Sequence, residues 1–191
     1  MSLTVLLGGA RSGKSTLAVR YGLGHDGPVC FLATATAGDE EMAARIAHHR
    51  TERPPRWEIV EEPLHLDAAL ARTGADALVI VDCLTLWVNN QLDSGAGEAA
   101  IAEQAERAAR RSAERSAPVV AVSNEIGMGI VPADPLTRRF RDLHGRVNAI
   151  WVAHAERASL VVAGALLALD RPGTTAPAPR CDTSTPTGPH R

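Results

Sequence analysis

Two stretches in the first third of the chain hold residue types suited to phosphoryl chemistry. The run Gly8–Ser15, GGARSGKS, matches the pattern G-x-x-x-x-G-K-[ST]. In such a run Gly8, Gly9, Ala10, Arg11, Ser12 and Gly13 form a tight loop whose N–H groups face phosphate oxygens. Lys14 bridges the β- and γ-phosphates, and Ser15 offers its hydroxyl to Mg²⁺. The competing reading is a glycine turn with an exposed lysine. A strand-like run before the loop and a helix-like run after it favour phosphate binding. The second stretch, RIAHHRTERP, holds the adjacent histidines His48 and His49. A neutral imidazole is a good nucleophile toward phosphorus. Neighbours on a helix point about 100° apart, so both histidines cannot face one pocket. Taken alone, the pair also fits a solvated helix face.

Further candidates stand at the ends of apolar runs. Asp82 closes LVIVD, where an acid would hold Mg²⁺ directly or through water; the alternative is a cap for the helix that follows. SNEIGMGIVPADP follows another apolar run, at the sheet edge where ligands of α/β folds bind. There Asn124 and Glu125 form a candidate substrate side. Glu125 would accept a proton from a substrate hydroxyl, or else cap nearby N–H groups. Arg138, Arg139, Arg141 and Arg146 would meet phosphate or form a solvated face.

The elements that must position these residues alternate between short apolar and longer amphipathic runs, the mark of βαβ units. Strands are expected at 3–7, 28–35, 56–62, 77–82 and 118–123, with one or two more within 159–169. Helices are expected at 14–23, 38–50, 64–73, 85–92, 98–115 and 135–158, with Gly145 a weak point in the last. The fold class is therefore α/β, a three-layer domain over residues 1–170 with a mostly parallel central sheet. From residue 171 to 191 the chain is rich in Pro, Thr, Gly and Ser. Such a composition buries too little apolar surface to offset ordering entropy, and disorder is expected.

Composition narrows the function classes. A chain of 191 residues with a formal net charge of −2 presents no overall basic surface, so nucleic acid is not an expected partner. Cys30, Cys83 and Cys181 are scattered and lack zinc-site spacing, which points to reduced thiols. No positive leader and no long apolar run precede the first strand. A cytoplasmic protein without a signal peptide or membrane span is the expectation.

Several markers in order carry a family resemblance. They are GGARSGKS, FLATA, DEEMAARIAHHRTERP, Trp57, VDCLT, SNEIGMGIVP and LTRRFRDLHGRVN. Across about Leu3–Leu169 the chain resembles the bifunctional adenosylcobinamide kinase/adenosylcobinamide-phosphate guanylyltransferase family of cobalamin biosynthesis. The resemblance implies a P-loop NTPase-like fold that phosphorylates adenosylcobinamide with ATP or GTP. GMP would then pass from GTP to adenosylcobinamide phosphate through a guanylylated histidine. It makes His48 the nucleophile and places His49, Arg50, Thr51 and Glu52 at the nucleotide, with Ala33, Thr34 and Ala35 of the FLATA run. Glu61 would read guanine, with Glu62 the weaker candidate and an exposed acid the alternative. Mg²⁺ is implied with the nucleotides, and a homo-oligomer, a trimer, as the assembly. A plain P-loop small-molecule kinase and a GTP-dependent binding switch are the competing readings. The chain has no N-K-x-D motif, which counts against the switch.

Overall fold

The computed structural model describes residues 3–36 and 53–170. The helix expected at 38–50, the histidine pair, Arg50, Thr51, Glu52 and the 171–191 tail lie outside the described residues. In chain order the elements are β1 (Leu3–Gly8), α1 (Lys14–Leu23), β2 (Val29–Ala33), β3 (Glu58–Glu61), α2 (Leu66–Arg72) and β4 (Leu78–Asp82). There follow α3 (Leu84–Asp93), α4 (Glu98–Glu114), β5 (Val119–Val122), α5 (Pro135–His154), β6 (Arg157–Val162) and β7 (Ala165–Ala168). The strands form one seven-stranded sheet in the order β3-β2-β4-β5-β1-β6-β7. All pairs are parallel except β6 with β7.

Alternation along the strands builds two cores, one on each face. Leu3, Val5 and Leu7 of β1, Cys30 and Leu32 of β2, Val79 and Val81 of β4, and Val119 and Ala121 of β5 face one side. There they meet Leu70 of α2, Trp87 of α3, Ala105 of α4 and Trp151 of α5. The intervening residues Leu6, Phe31, Leu78, Ile80, Val120 and Val122 face the other side, with Ala18 of α1 and Trp57. Each fully buried aliphatic side chain contributes about 1.5–3 kcal/mol. A one-residue slip would exchange the two faces, so burial on both sides fixes the register. The expected three-layer arrangement is present.

Trp57 accounts for a glycine in α1. A Cβ at Gly22 would lie 2.6 Å from Cη2 of Trp57 and 3.1 Å from Cδ1 of Ile80. Gly145, by contrast, meets nothing, and α5 runs through it unbroken. That helix starts firmly: the Asp134 carboxylate accepts the N–H of Thr137 at 2.7 Å, and Pro135 follows it.

The end of α5 departs from the expectation. It stops at His154, not 158, because Ala155 turns extended and Glu156 donates its N–H to Leu3 O at 2.9 Å. Pairing with β1 thus competes with the last helical turn and wins. The final apolar run is a hairpin, turned at Ala163 (φ 50°) and Gly164 (φ 81°). Two left-handed residues in succession suit a two-residue hairpin loop. Cys30 and Cys83 are free thiols, and among the described residues no helix is long and apolar enough to cross a membrane.

Candidate active site

The loop between β1 and α1 is held from two sides. Gly13 enters α1 in the left-handed region (φ 100°), which glycine adopts without strain. A Cβ on Gly8 would strike Val161 O at 2.3 Å, so only glycine lets β1 leave the sheet there. The N–H of Gly164, at the β6–β7 turn, donates to Ser12 O at 2.8 Å, and that of Glu125 donates to Gly8 O at 2.9 Å. Lys14 is 6% exposed and donates from Nζ to Gly8 O (2.9 Å) and Gly9 O (2.6 Å). Burial lowers its pKa from the ordinary lysine value, opposed by Cys83 and by the carboxylate of Asp82.

Parallel strands bring the remaining candidates to the same edge. Glu61 of β3 is registered with Ala33 of β2, Ala33 with Asp82 of β4, Asp82 with Val122 of β5, and Val122 with Leu6 of β1. One row across the sheet therefore gathers residues from five strands next to the phosphate loop. A cleft of about 580 Å³ opens there. Ala10, Arg11, Ser12, Gly13, Lys14 and Ser15 line it, as do Ala33, Ala35, Glu61, Asp82 and Asn124. Asp82 does not cap α3, which begins after Cys83. Ser15 and Asp82, which both line the cleft, offer two hard oxygen donors. That fits Mg²⁺, which takes one or two protein ligands and completes its shell with phosphate and water oxygens.

Thr34 does not line this cleft. It is fully buried, and its hydroxyl donates to Cys83 O (2.7 Å) while accepting the Cys83 N–H (2.8 Å). Asn90 adds a bond to Thr34 O at 2.7 Å. Thr34 therefore clamps the end of β2 to the turn after β4, and so holds Asp82 in place. Burial, with Asp82 alongside, pushes the Cys83 thiol up to about 11, so this cysteine stays protonated at neutral pH.

Residues 4–169 match the family described as cobinamide kinase / cobinamide phosphate guanyltransferase. The chain belongs to this family. The bifunctional adenosylcobalamin biosynthesis protein CobP of Pseudomonas aeruginosa is 43% identical over 162 residues, 84% of this chain and 92% of that protein. The CobU protein of Escherichia coli, of the same description, is 40% identical over 175 residues, 85% of this chain and 96% of that protein. Among solved structures, a prototypical ATPase from the type III secretion system of pathogenic bacteria superposes with a TM-score of 0.52. It covers 83% of this chain and 50% of its own at 13% identity, a likeness of fold alone. This cobinamide kinase/guanyltransferase family member is thus a nucleotide-using enzyme built on a P-loop ATPase-like sheet.

Other candidates of this family member sit elsewhere. Glu62 does not line the cleft: its Oε1 accepts the N–H groups of Leu64 (3.1 Å) and His65 (2.9 Å). Burial opposes its ionisation, but those N–H groups, with His65 and Arg72 nearby, hold its pKa below the usual carboxylate value. Glu125 shows the capping alternative, accepting the Gly127 N–H at 2.6 Å. Arg138 binds the carbonyls of Pro132 and Ala133, Arg139 pairs with Glu98 and Arg141 with Asp142. Arg146 is exposed, and none of the four lines the cleft.

Sequence reasoning missed Arg53 and Cys83. Both line the cleft, and the Arg53 guanidinium lies 3.5 Å above the Phe31 ring centroid. Arg53 closes the charged run after the histidine pair, which was the one available signal. The β6–β7 turn that braces the phosphate loop carried no signal, since its contact with Ser12 spans most of the chain.

Proposed function

We propose that the chain phosphorylates adenosylcobinamide with ATP or GTP at the phosphate loop, and then transfers GMP from GTP to adenosylcobinamide phosphate through a guanylylated His48. One observation carries this reading. Ala35 and Arg53, which flank the segment bearing His48, both line the cleft that holds Lys14, Ser15 and Asp82. Flanking residues on both sides of that segment at the cleft support a reactive side chain from it working there.

In the first reaction the acceptor hydroxyl attacks the γ-phosphorus and the nucleoside diphosphate leaves. Lys14 and the N–H groups of the loop stabilise the charge on the transferring group. Mg²⁺, with Ser15 and Asp82 as its protein ligands, would supply further charge neutralisation. In the second reaction an imidazole nitrogen of His48 attacks the α-phosphorus of GTP and pyrophosphate leaves. An oxygen of adenosylcobinamide phosphate then attacks the phosphoramidate, the P–N bond breaks, and the histidine is regenerated. Glu61, exposed at the far end of the strand row, suits the guanine N1–H and amino group. His49, Arg50, Thr51 and Glu52 complete the nucleotide side, and Asn124 stands toward the acceptor. The free thiols support a cytoplasmic setting. The exposed Val162, Leu166 and Leu167 of the β6–β7 hairpin support an oligomer.

The deciding assay is incubation with α-labelled GTP and Mg²⁺, with mass spectrometry of the labelled peptide. Wild type and His49→Ala acquire acid-labile, base-stable GMP, whereas His48→Asn acquires none and keeps kinase turnover. Label that persists without His48 and vanishes without His49 moves the nucleophile by one residue. Kinase activity without any labelling leaves only the small-molecule kinase.

A further inference from the structure

Beneath the cleft, on the α5 side of β5, lies a group of polar side chains that the reaction does not use. Ser123 and His144 are fully buried, Asn148 is nearly so, and Thr85 completes the group. A serine beside a histidine invites comparison with a nucleophile and its base, but no substrate reaches side chains buried this deeply.

The hydrogen-bond directions follow from a single backbone carbonyl. The Asn148 side chain lies 2.9 Å from Asn124 O, and only its NH₂ can face a carbonyl. Its Oδ1 therefore faces Ser123, whose hydroxyl must donate to it at 2.6 Å. With its proton so committed, Ser123 Oγ can only accept from His144 Nε2 at 3.1 Å. His144 is thus neutral and carries its proton on Nε2, shared with Thr85 Oγ1 at 3.1 Å. Its bare Nδ1 faces the Asn148 NH₂ at 3.5 Å, where an imidazolium N–H would be repelled. Phe140 stacks on the ring, with centroids 5.8 Å apart. Thr85 then accepts the N–H of Asn124 at 2.9 Å. Both backbone groups of Asn124 are held by this group, one from α3 and one from α5.

We propose that Thr85, Ser123, His144 and Asn148 form a buried strut that fixes Asn124 at the cleft, making His144 and Thr85 positioning residues for the acceptor side of the reaction. Thr85 stands three residues after Asp82, so the same strut sets the spacing between the metal-side acid and Asn124. Beyond Asn124 the chain runs outward and exposes Met128 (77%), Ile130 (97%) and Val131 (62%). Asn124 therefore stands between the phosphate loop and a surface suited to a large, partly apolar acceptor. This rests on the functional reading above for the identity of the acceptor, but not for the strut itself.

Two measurements on the full chain test it, using Thr85→Val, His144→Leu and the conservative His144→Gln. In hydrogen exchange, the Asn124 amide should open about tenfold faster in Thr85→Val and His144→Leu, the factor one ordinary hydrogen bond supplies, with Val119–Val122 unchanged. In the kinase assay, kcat/KM for adenosylcobinamide should fall by about tenfold. Affinity for a fluorescent non-hydrolysable GTP analogue should hold, and His144→Gln should recover most of the loss. Unchanged Asn124 exchange overturns the strut whatever the turnover. So does equal loss of analogue affinity and acceptor kinetics, or a lowered Tm with normal kcat/KM. An inactive wild-type chain that shows the exchange pattern faults the functional reading alone.

Discussion

Replacing Gly22 with alanine sets two effects of opposite sign against each other. Alanine in α1 raises intrinsic helix stability by about 1 kcal/mol. Its Cβ, however, would lie 2.6 Å from Cη2 and 2.7 Å from Cζ2 of Trp57. Carbon atoms in contact rest at about 3.5–4.0 Å, so the overlap approaches an ångström. The Trp57 ring is buried in the core cluster with Phe31, Leu78 and Ile80. Overpacking of this kind costs about 1–3 kcal/mol. The balance is a net destabilisation of up to about 2 kcal/mol, a fall in Tm of up to about 8 °C for a domain of this size. Urea unfolding followed by circular dichroism measures it. In a Trp57→Leu background the distal ring atoms are gone, and the alanine should become neutral or stabilising by up to about 1 kcal/mol. The cycle then shows a coupling of about 2 kcal/mol. Equal effects in the two backgrounds, or a stabilising Gly22→Ala in the wild-type chain, would refute the steric account.

Thr34→Val leaves the buried N–H and C=O of Cys83 without the hydroxyl between them, at a cost of about 2 kcal/mol. It should lower Tm and raise the Mg²⁺ concentration needed for half-maximal kinase activity, because Asp82 loses its clamp. Lys14→Ala should weaken triphosphate binding in calorimetry and depress both activities together. The pH dependence of stability should carry the signature of His144. Burial lowers its pKa from 6.5 to about 4 in the folded chain. Between those values the unfolded chain binds one more proton, so stability falls as the pH falls. The loss amounts to about 3 kcal/mol by pH 4. Urea midpoints at pH 7 and pH 4.5 should therefore converge in His144→Gln relative to wild type, and an unchanged difference would contradict a neutral buried imidazole.

Local chemistry is written directly in the amino-acid order. The phosphate loop is readable there because its function resides in consecutive backbone groups, and the glycines that allow the turn are part of the pattern. The strands are readable because sheet burial on both faces imprints continuous apolar runs such as LVIVD, and helices likewise by their spacing. The family resemblance supplied the roles proposed for His48 and its neighbours, which no periodicity encodes. Boundaries held less well where two elements compete for the same residues. At Ala155 and Glu156 the helical pattern continues along the chain, and only the presence of β1 alongside ends it.

What the tertiary structure decided is which side chains share a space. Thr34 and Cys83 are 49 positions apart, and Ser123 and His144 are 21 apart. Nothing local marks Thr34 as a clamp rather than a nucleotide contact. His144 sits among arginines whose alternative reading is a solvated face, and nothing in the run RRFRDLHGRV marks it. It is buried because the helix turns it inward together with Leu143, Val147, Asn148 and Trp151. Glu61 and Glu62 are neighbours of the same type, yet the strand's alternation sends the first to the cleft and the second to cap a turn. Sequence specifies the groups able to do chemistry. Parallel pairing in register, sealed by burial on both faces of the sheet, specifies which of them meet.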